Sequence, residues 1–121
     1  MADDRGAAAF PASARLDHSA QFSRVFRDGM RSRDGYFTLL ARPNQLGFAR
    51  LGMAISRKHA GNAVRRNRIR RVIRESFRHR RAMLAGLDIV VLGRPGLGRM
   101  DNARLFASLD RHWQRLSKKC A

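Results

Sequence analysis

Residues 57–81 read RKHAGNAVRRNRIRRVIRESFRHRR, with eleven Arg or Lys side chains against one acid, Glu75. At about 100° per residue, Ile69, Val72, Ile73, Phe77, Met83 and Leu84 fall on one side of a helix. The spacing predicts a helix over 63–84, with Asn62 as its cap and Gly86 as its stop. Opposite the apolar stripe lie Asn67, Arg71, Arg74 and Arg78, with Arg70 and Arg81 toward one flank. Glu75 is within reach of both Arg71 and Arg78, and one acid leaves that face positive. Arg is a good helix former whose stem covers apolar flanks, so an ordinary solvated face is one reading. Two features oppose it. Solvated faces usually mix signs, and like charges at i,i+4 cost about 0.2–0.5 kcal/mol each. Arg65, Arg66 and Arg68 also crowd the helix start, an end that already favours anions. A bound polyphosphate removes both conflicts.

The composition points the same way. The chain has 121 residues, net charge +17, and only three Lys among 26 basic residues. A domain this positive attracts polyanions, and the planar Arg fork suits phosphate and stacks on bases. Nucleic acid is therefore expected ahead of a membrane surface. No run approaches the ~18 apolar residues that span a bilayer, and the start lacks a signal-peptide pattern. An intracellular, cytoplasmic setting is expected. Cys120 is the only cysteine, and His18, His59, His79 and His112 show no ligand spacing, so no protein-held metal is expected.

Around the basic helix the pattern alternates between strands and helices. Residues 1–15, rich in Ala and Ser, are expected to be a flexible leader. Residues 17–28 predict a short helix capped by Asp17, with Phe22, Val25 and Phe26 on one face and Gly29 after it. Residues 35–44 and 46–56 are strand candidates. In the second, Leu51, Met53 and Ile55 alternate with Gly52 and Ala54, which leaves room for something to approach closely. Residues 87–93, LDIVVLG, predict a buried strand, and Asp88 a cap or salt bridge. Residues 102–119 predict a last helix with the apolar line Leu105, Phe106, Leu109, Trp113 and Leu116, followed by a basic tail over 118–121. The sum is one α/β domain over about 16–117, with a small sheet and helices packed on it. The strand–helix–strand passage around the basic helix suits a parallel pair, for which the usual rule gives a right-handed crossover.

The nine acids form no clustered pair, and no Ser-His-Asp or Cys-His set is organised by the sequence. The early helix stop speaks against a leucine-zipper region, and the flanking strands against helix-turn-helix. An α/β domain with a basic helix and nearby aromatics favours structured or single-stranded RNA. Phe22 and Phe26 serve either core packing or base stacking. Tyr36 and Phe37, adjacent on a strand, face opposite ways. Ser56, Arg57, Lys58 and His59 lead into the helix and add to the same positive corner. Arg65 and Arg66 project nearer the sheet than Arg71.

The residues GNAVRRNRIRRVIRESFR (61–78), preceded by ISRK, resemble the signature of the bacterial ribonuclease P protein subunit. Its core stands here as Arg66-Asn67-Arg68, Arg70-Arg71 and Arg74-Glu75-Ser76-Phe77. The early Phe22, Phe26 and Gly29 follow the same order, and the resemblance spans about residues 15–117. It implies an αβββαβα sandwich with four strands, the short first one near Arg31–Arg33, and a left-handed βαβ crossover instead of the default hand. It implies a ribonucleoprotein enzyme that removes the 5′ leader from precursor tRNA, in which the RNA is catalytic with Mg2+ held mainly by RNA. The expected partners are that RNA and the precursor tRNA, with no membrane and no stable protein partner. By matching positions, Arg57, Lys58, Arg65, Arg66, Asn67, Arg68, Arg70, Arg71 and Arg74 would face the catalytic RNA. Phe22, Phe26 and Tyr36 would line the leader cleft, Tyr36 standing in for an aromatic that the family often has near Leu40. No protein residue is expected to be catalytic. The alternative is a ribosomal or other structural RNA-binding protein with no part in cleavage.

Overall fold

The computed structural model describes Arg15 and residues 19–119, with only the backbone described for residues 19–22. The order is α1 (Ser19–Asp28), β1 (Met30–Arg33), β2 (Phe37–Pro43), β3 (Arg50–Ala54), α2 (Arg57–Ala60), α3 (Ala63–Arg80), β4 (Leu87–Gly93), a 3-10 turn (Leu97–Arg99) and α4 (Asn102–Lys119). The strands form one sheet in the order β1-β2-β4-β3. β1–β2 and β2–β4 are antiparallel, and β3–β4 is the parallel pair that the sequence pattern suggested.

The strand period of two sorts the sheet into two faces. Phe37, Leu39, Ala41, Leu51, Ile89 and Val91 enter the larger core with Ile69, Val72, Ile73 and Phe77 of α3 and Leu105, Leu109, Trp113 and Leu116 of α4. On the other face Val25 of α1 covers Leu40 and Val90. The sheet is thus a layer between α1 and the α3–α4 pair. Gly29 makes the α1–β1 corner possible. Its N–H donates to the Val25 carbonyl at 2.8 Å, and a Cβ there would collide with that carbonyl.

Several boundaries differ from the pattern-based expectation. α3 ends at Arg80, not near residue 84, and residues 81–86 form turns closed by Gly86 at φ 86°. Leu84 is buried although it lies past the helix, whereas Met83 is 42% exposed. Residues 57–60, expected to lead out of a strand, form a one-turn helix because Ser56 Oγ accepts the His59 N–H at 3.2 Å. The architecture is therefore the expected one with an extra helical turn before α3. Helix α4 covers residues 102–119 as the pattern predicts, so Lys118 and Lys119, counted also in the basic tail, are helical, and Lys119 Nζ donates to the Arg31 carbonyl at 2.8 Å. Residues 1–14, the Asp17 cap and Cys120 lie outside the described residues.

Most polar groups buried by α4 are hydrogen-bonded, His112 Nε2 being the exception. Trp113 Nε1 donates to Ser76 Oγ at 2.7 Å, and the Trp113 ring meets Phe77 edge-on at 6.0 Å. His112, fully buried, places Nδ1 2.7 Å from Ser32 Oγ. Its Nε2 lies 3.1 Å from Asp34 Oδ2, off the line of a good hydrogen bond. Asp34 also receives Ser108 Oγ–H and the Tyr36 and Phe37 amides. Burial alone would raise the Asp34 pKa. The hydrogen bonds from Ser108, Phe37 and Tyr36, with His112 nearby, outweigh burial and hold it at about 2. Burial lowers the pKa of His112 despite Asp34.

Both shifts make the fold acid-sensitive. An unfolded His takes its proton near 6.5 while His112 in the fold resists, so the unfolded chain binds more protons as pH falls below neutral. Asp34 adds stability that is complete above 3.8 and lost as pH falls through about 2. Urea unfolding is expected to show stability declining from pH 7.5 to pH 5, and His112→Gln, which cannot titrate, to flatten that decline. Ser76→Ala, which strands the Trp113 N–H, is expected to cost about 1–3 kcal/mol in the same assay.

Candidate nucleic-acid interface

The first part of the interface is the outer face of α3. The helix starts sharply because Asn62 Oδ1 accepts the Arg65 N–H at 2.9 Å. Its apolar stripe is held on the sheet, so register alone decides which arginines face outward. Arg57, Lys58, Arg65, Asn67, Arg71 and Arg74 are exposed, and Arg66, Arg68 and Arg70 are half-buried. Among the described residues, no acid pairs with Arg57, Lys58, Arg65, Arg66, Arg70, Arg71 or Arg74. Arg66 Nε is buried without a hydrogen-bond partner among them. The Arg74 pKa is lowered by partial burial and then by the like charges of Arg15 and Arg70. Arg15 stands in this group because it bridges Leu51 of β3 in parallel sense.

The acids are engaged elsewhere. Glu75 accepts two bonds from Arg78 Nη2, at 2.7 and 2.8 Å, and lies 3.0 Å from His79 Nε2. Of its two possible partners, Arg78 is the one the structure selects over Arg71. Asp110 takes Arg80 at 2.8 and 2.9 Å, which ties α3 to α4. Asp88 is buried with the Arg50 fork at 2.8 and 2.7 Å and the Asn44 amide at 2.8 Å, the salt bridge expected at the head of β4. Asp101 caps α4 through the Arg104 N–H, and Asp28 lies near Arg27 and Arg42.

Arg68 departs from its expected role. Its guanidinium donates to Asn102 Oδ1 at 2.6 Å, Gly98 O at 3.1 Å and Met100 O at 2.9 Å, so it is held by the loop after β4.

The second part is the α1-facing side of the sheet. Cross-strand pairing sets Arg33, Thr38, Leu92 and Ala54 in one row, and Arg31, Leu40, Val90 and Gly52 in the next. Val25 covers the second row, while Thr38 and Leu92 are half-buried and Ala54 is exposed. The small side chains of β3 thus leave a shallow open floor. Phe26 is 49% exposed beside Val25. The Phe22 side chain lies outside the described residues. Tyr36 packs on the larger core, so the structure does not group it with Val25 on the α1 side. Arg31 and Arg33, both exposed, join this face and were not singled out from sequence, although their i,i+2 spacing in a short strand carries the signal.

Among the described residues neither part brings together a catalytic set. Ser32, His112 and Asp34 form a chain that resembles a nucleophilic triad, but Ser32 is 3% exposed and His112 fully buried, so no substrate reaches them. Among the described residues no group of three or more His, Cys, Asp or Glu side chains is placed to hold a metal ion, and no helix is long and apolar enough to cross a membrane.

A mixed four-stranded sheet with helices on both faces, an unneutralised arginine helix and an open basic sheet face define an RNA-binding α/β protein. The Ribonuclease P family model matches residues 10–117. The chain is 50% identical over 121 residues to the ribonuclease P protein component of Thioalkalivibrio sulfidiphilus, covering all of this chain and 98% of that protein. It is 46% identical over 112 residues to that of Methylococcus capsulatus, covering 93% of this chain and 88% of the relative. The solved RNase P protein of Staphylococcus aureus superposes with a TM-score of 0.78 at 31% identity, over 87% of this chain and 95% of that one. That of Thermotoga maritima gives 0.74 at 34% identity, over 84% and 96%. The chain belongs to the ribonuclease P protein family.

The repulsion around Arg74 yields opposed effects of one substitution. Arg74→Gln is expected to raise the unfolding free energy at low salt by about 0.2–0.5 kcal/mol. In a filter-binding titration the same variant is expected to bind RNA more weakly, with the salt slope reduced by about 0.7–0.9.

Proposed function

We infer that the chain acts as the protein subunit of ribonuclease P, assisting a catalytic RNA in removing the 5′ leader of precursor tRNA. The observation that carries this is the seven basic side chains from Arg57 to Arg74 that face no acid, while the carboxylates of the described chain are engaged elsewhere. A surface so arranged lowers the mutual repulsion of two polyanions, the RNA and its substrate. Arg57, Lys58, Arg65, Arg66, Asn67, Arg70 and Arg71, with Arg74, would meet the phosphates of the catalytic RNA. Arg68 would contribute through the loop that it holds. The open row of Thr38, Leu92 and Ala54, edged by Arg33 and near Phe26, would take the single-stranded leader, with Phe22 as a further candidate. Tyr36 supports the wall more than it lines it.

Hydrolysis belongs to the RNA, which uses Mg2+ to supply an activated water. The described acids are all engaged in hydrogen bonds or ion pairs, so the donor set of the described residues does not fit a magnesium site. Extra contacts to the leader distinguish precursor from mature tRNA, because the product lacks it.

Reconstitution with ribonuclease P RNA at low magnesium is the test. Added protein is expected to favour leader-bearing precursor over mature tRNA in binding, and to stimulate cleavage. Equal affinity for both with no stimulation would identify a structural RNA binder instead. RNA affinity is also expected to fall by about 10³–10⁵ between 50 and 200 mM salt, as six to ten phosphate contacts require.

A further inference from the structure

Arg68 lies within the arginine helix, yet its charge is turned inward. Both terminal nitrogens donate to the loop after β4, through Asn102 Oδ1, Gly98 O and Met100 O. A fork already donating to three acceptors is poorly free to clasp a phosphate as well. The loop it holds is pressed on α2, where a Cβ at Gly98 would collide with the Ala60 carbonyl. Between them opens a pocket of about 250 Å³, walled by Lys58, His59, Arg65 and Arg99 and by the backbone of Gly61, Gly96 and Gly98. His59 is fixed through Nδ1, 3.0 Å from the Gly93 carbonyl. The side chains of Lys58, Arg65 and Arg99 have no hydrogen-bond or ion-pair partner among the described residues. Three cations from three separate elements thus converge on a concave, glycine-walled and acid-free site. Glycine walls let a phosphodiester approach the backbone closely.

We propose that Arg68 is a positioning residue, which fixes the Leu97–Arg99 turn so that Arg99 joins Lys58 and Arg65 around one backbone phosphate of the bound RNA. This role presupposes the RNA partner inferred above. It adds Arg99 to the interface and removes Arg68 from direct contact. A Lys at position 68 keeps the charge but not the fork that reaches three acceptors.

The test is a double-mutant cycle on the full chain binding ribonuclease P RNA across a salt series. Arg99→Gln is expected to weaken binding about tenfold and to lower the salt slope by about 0.7–0.9. Arg68→Gln is expected to do the same, and the double variant to bind no worse than either single one. Arg68→Gln combined with Arg71→Gln should instead multiply its losses. Asn102→Ala keeps every cation, and serves if Arg68→Gln folds poorly. It is expected to weaken binding, and that loss should vanish in the Arg99→Gln background. Multiplied losses for Arg68→Gln with Arg99→Gln, with the slope falling twice, would mean that Arg68 holds a phosphate itself and would overturn the proposal. Wild-type binding by Arg99→Gln would overturn it too. Failure of the RNA function has a separate signature, in which the unaltered chain shows no salt-dependent affinity for this RNA.

Discussion

The distribution of carboxylates governs this molecule. The described chain has six acids, Asp28, Asp34, Glu75, Asp88, Asp101 and Asp110, and each is held by a partner other than the seven basic side chains from Arg57 to Arg74 that face no acid. Arg50 braces the sheet through Asp88, Arg80 pins α3 to α4 through Asp110, and Arg78 is neutralised by Glu75 within α3. What is left over is a continuous positive surface from Arg57 to Arg74, whose repulsion the free fold must bear. A chain built only for stability would place acids at i,i+4 along that helix. Their absence fits the polyanionic partner proposed for this face.

Bearing that repulsion requires a firm support, and α4 supplies it. Trp113 fills the core behind α3 and bonds Ser76. Arg80 and Asp110 close the same interface at its rim. On the far side of α4, His112 and Ser108 reach Ser32 and Asp34 around the short edge strand β1. Buried polar pairs of this kind fix one alignment of helix on sheet, because any slip strands a donor or acceptor in apolar surroundings. The arginine face is therefore presented at a set angle to the open row of Thr38, Leu92 and Ala54. The two RNA-facing parts of the proposed interface share one rigid sheet.

Much of this was legible residue by residue. Asn62 declared the start of α3, and Ile69, Val72, Ile73 and Phe77 declared its buried side, because helical period is a local property. Residues 87–93 and 102–119 were delimited correctly for the same reason. The end of α3 was misplaced because Leu84 continues the apolar pattern past the helix, held in the core by turns and not by helical register. Helix α2 was missed because a single turn has no period to detect. Tyr36 was set in the cleft by the resemblance, as a stand-in for an aromatic near Leu40, and strand alternation, which would turn it away from Phe37, does not apply at the bend before β2, where it packs on the larger core.

The arginines, their near freedom from acids in sequence, and the motif from Gly61 to Arg78 are determined by the sequence alone, since charge and helical period need no partner to be counted. Which arginine does what was decided by the tertiary structure. Arg68 and Arg71 look alike along the helix, yet one meets three acceptors on a loop thirty or more positions away and the other meets water. Ser32, Asp34 and His112 form a network only after β1 lies beside α4. The physical reason is the same in both cases. Hydrogen bonds reach about 3 Å, and only folding brings residues far apart in the chain within that distance.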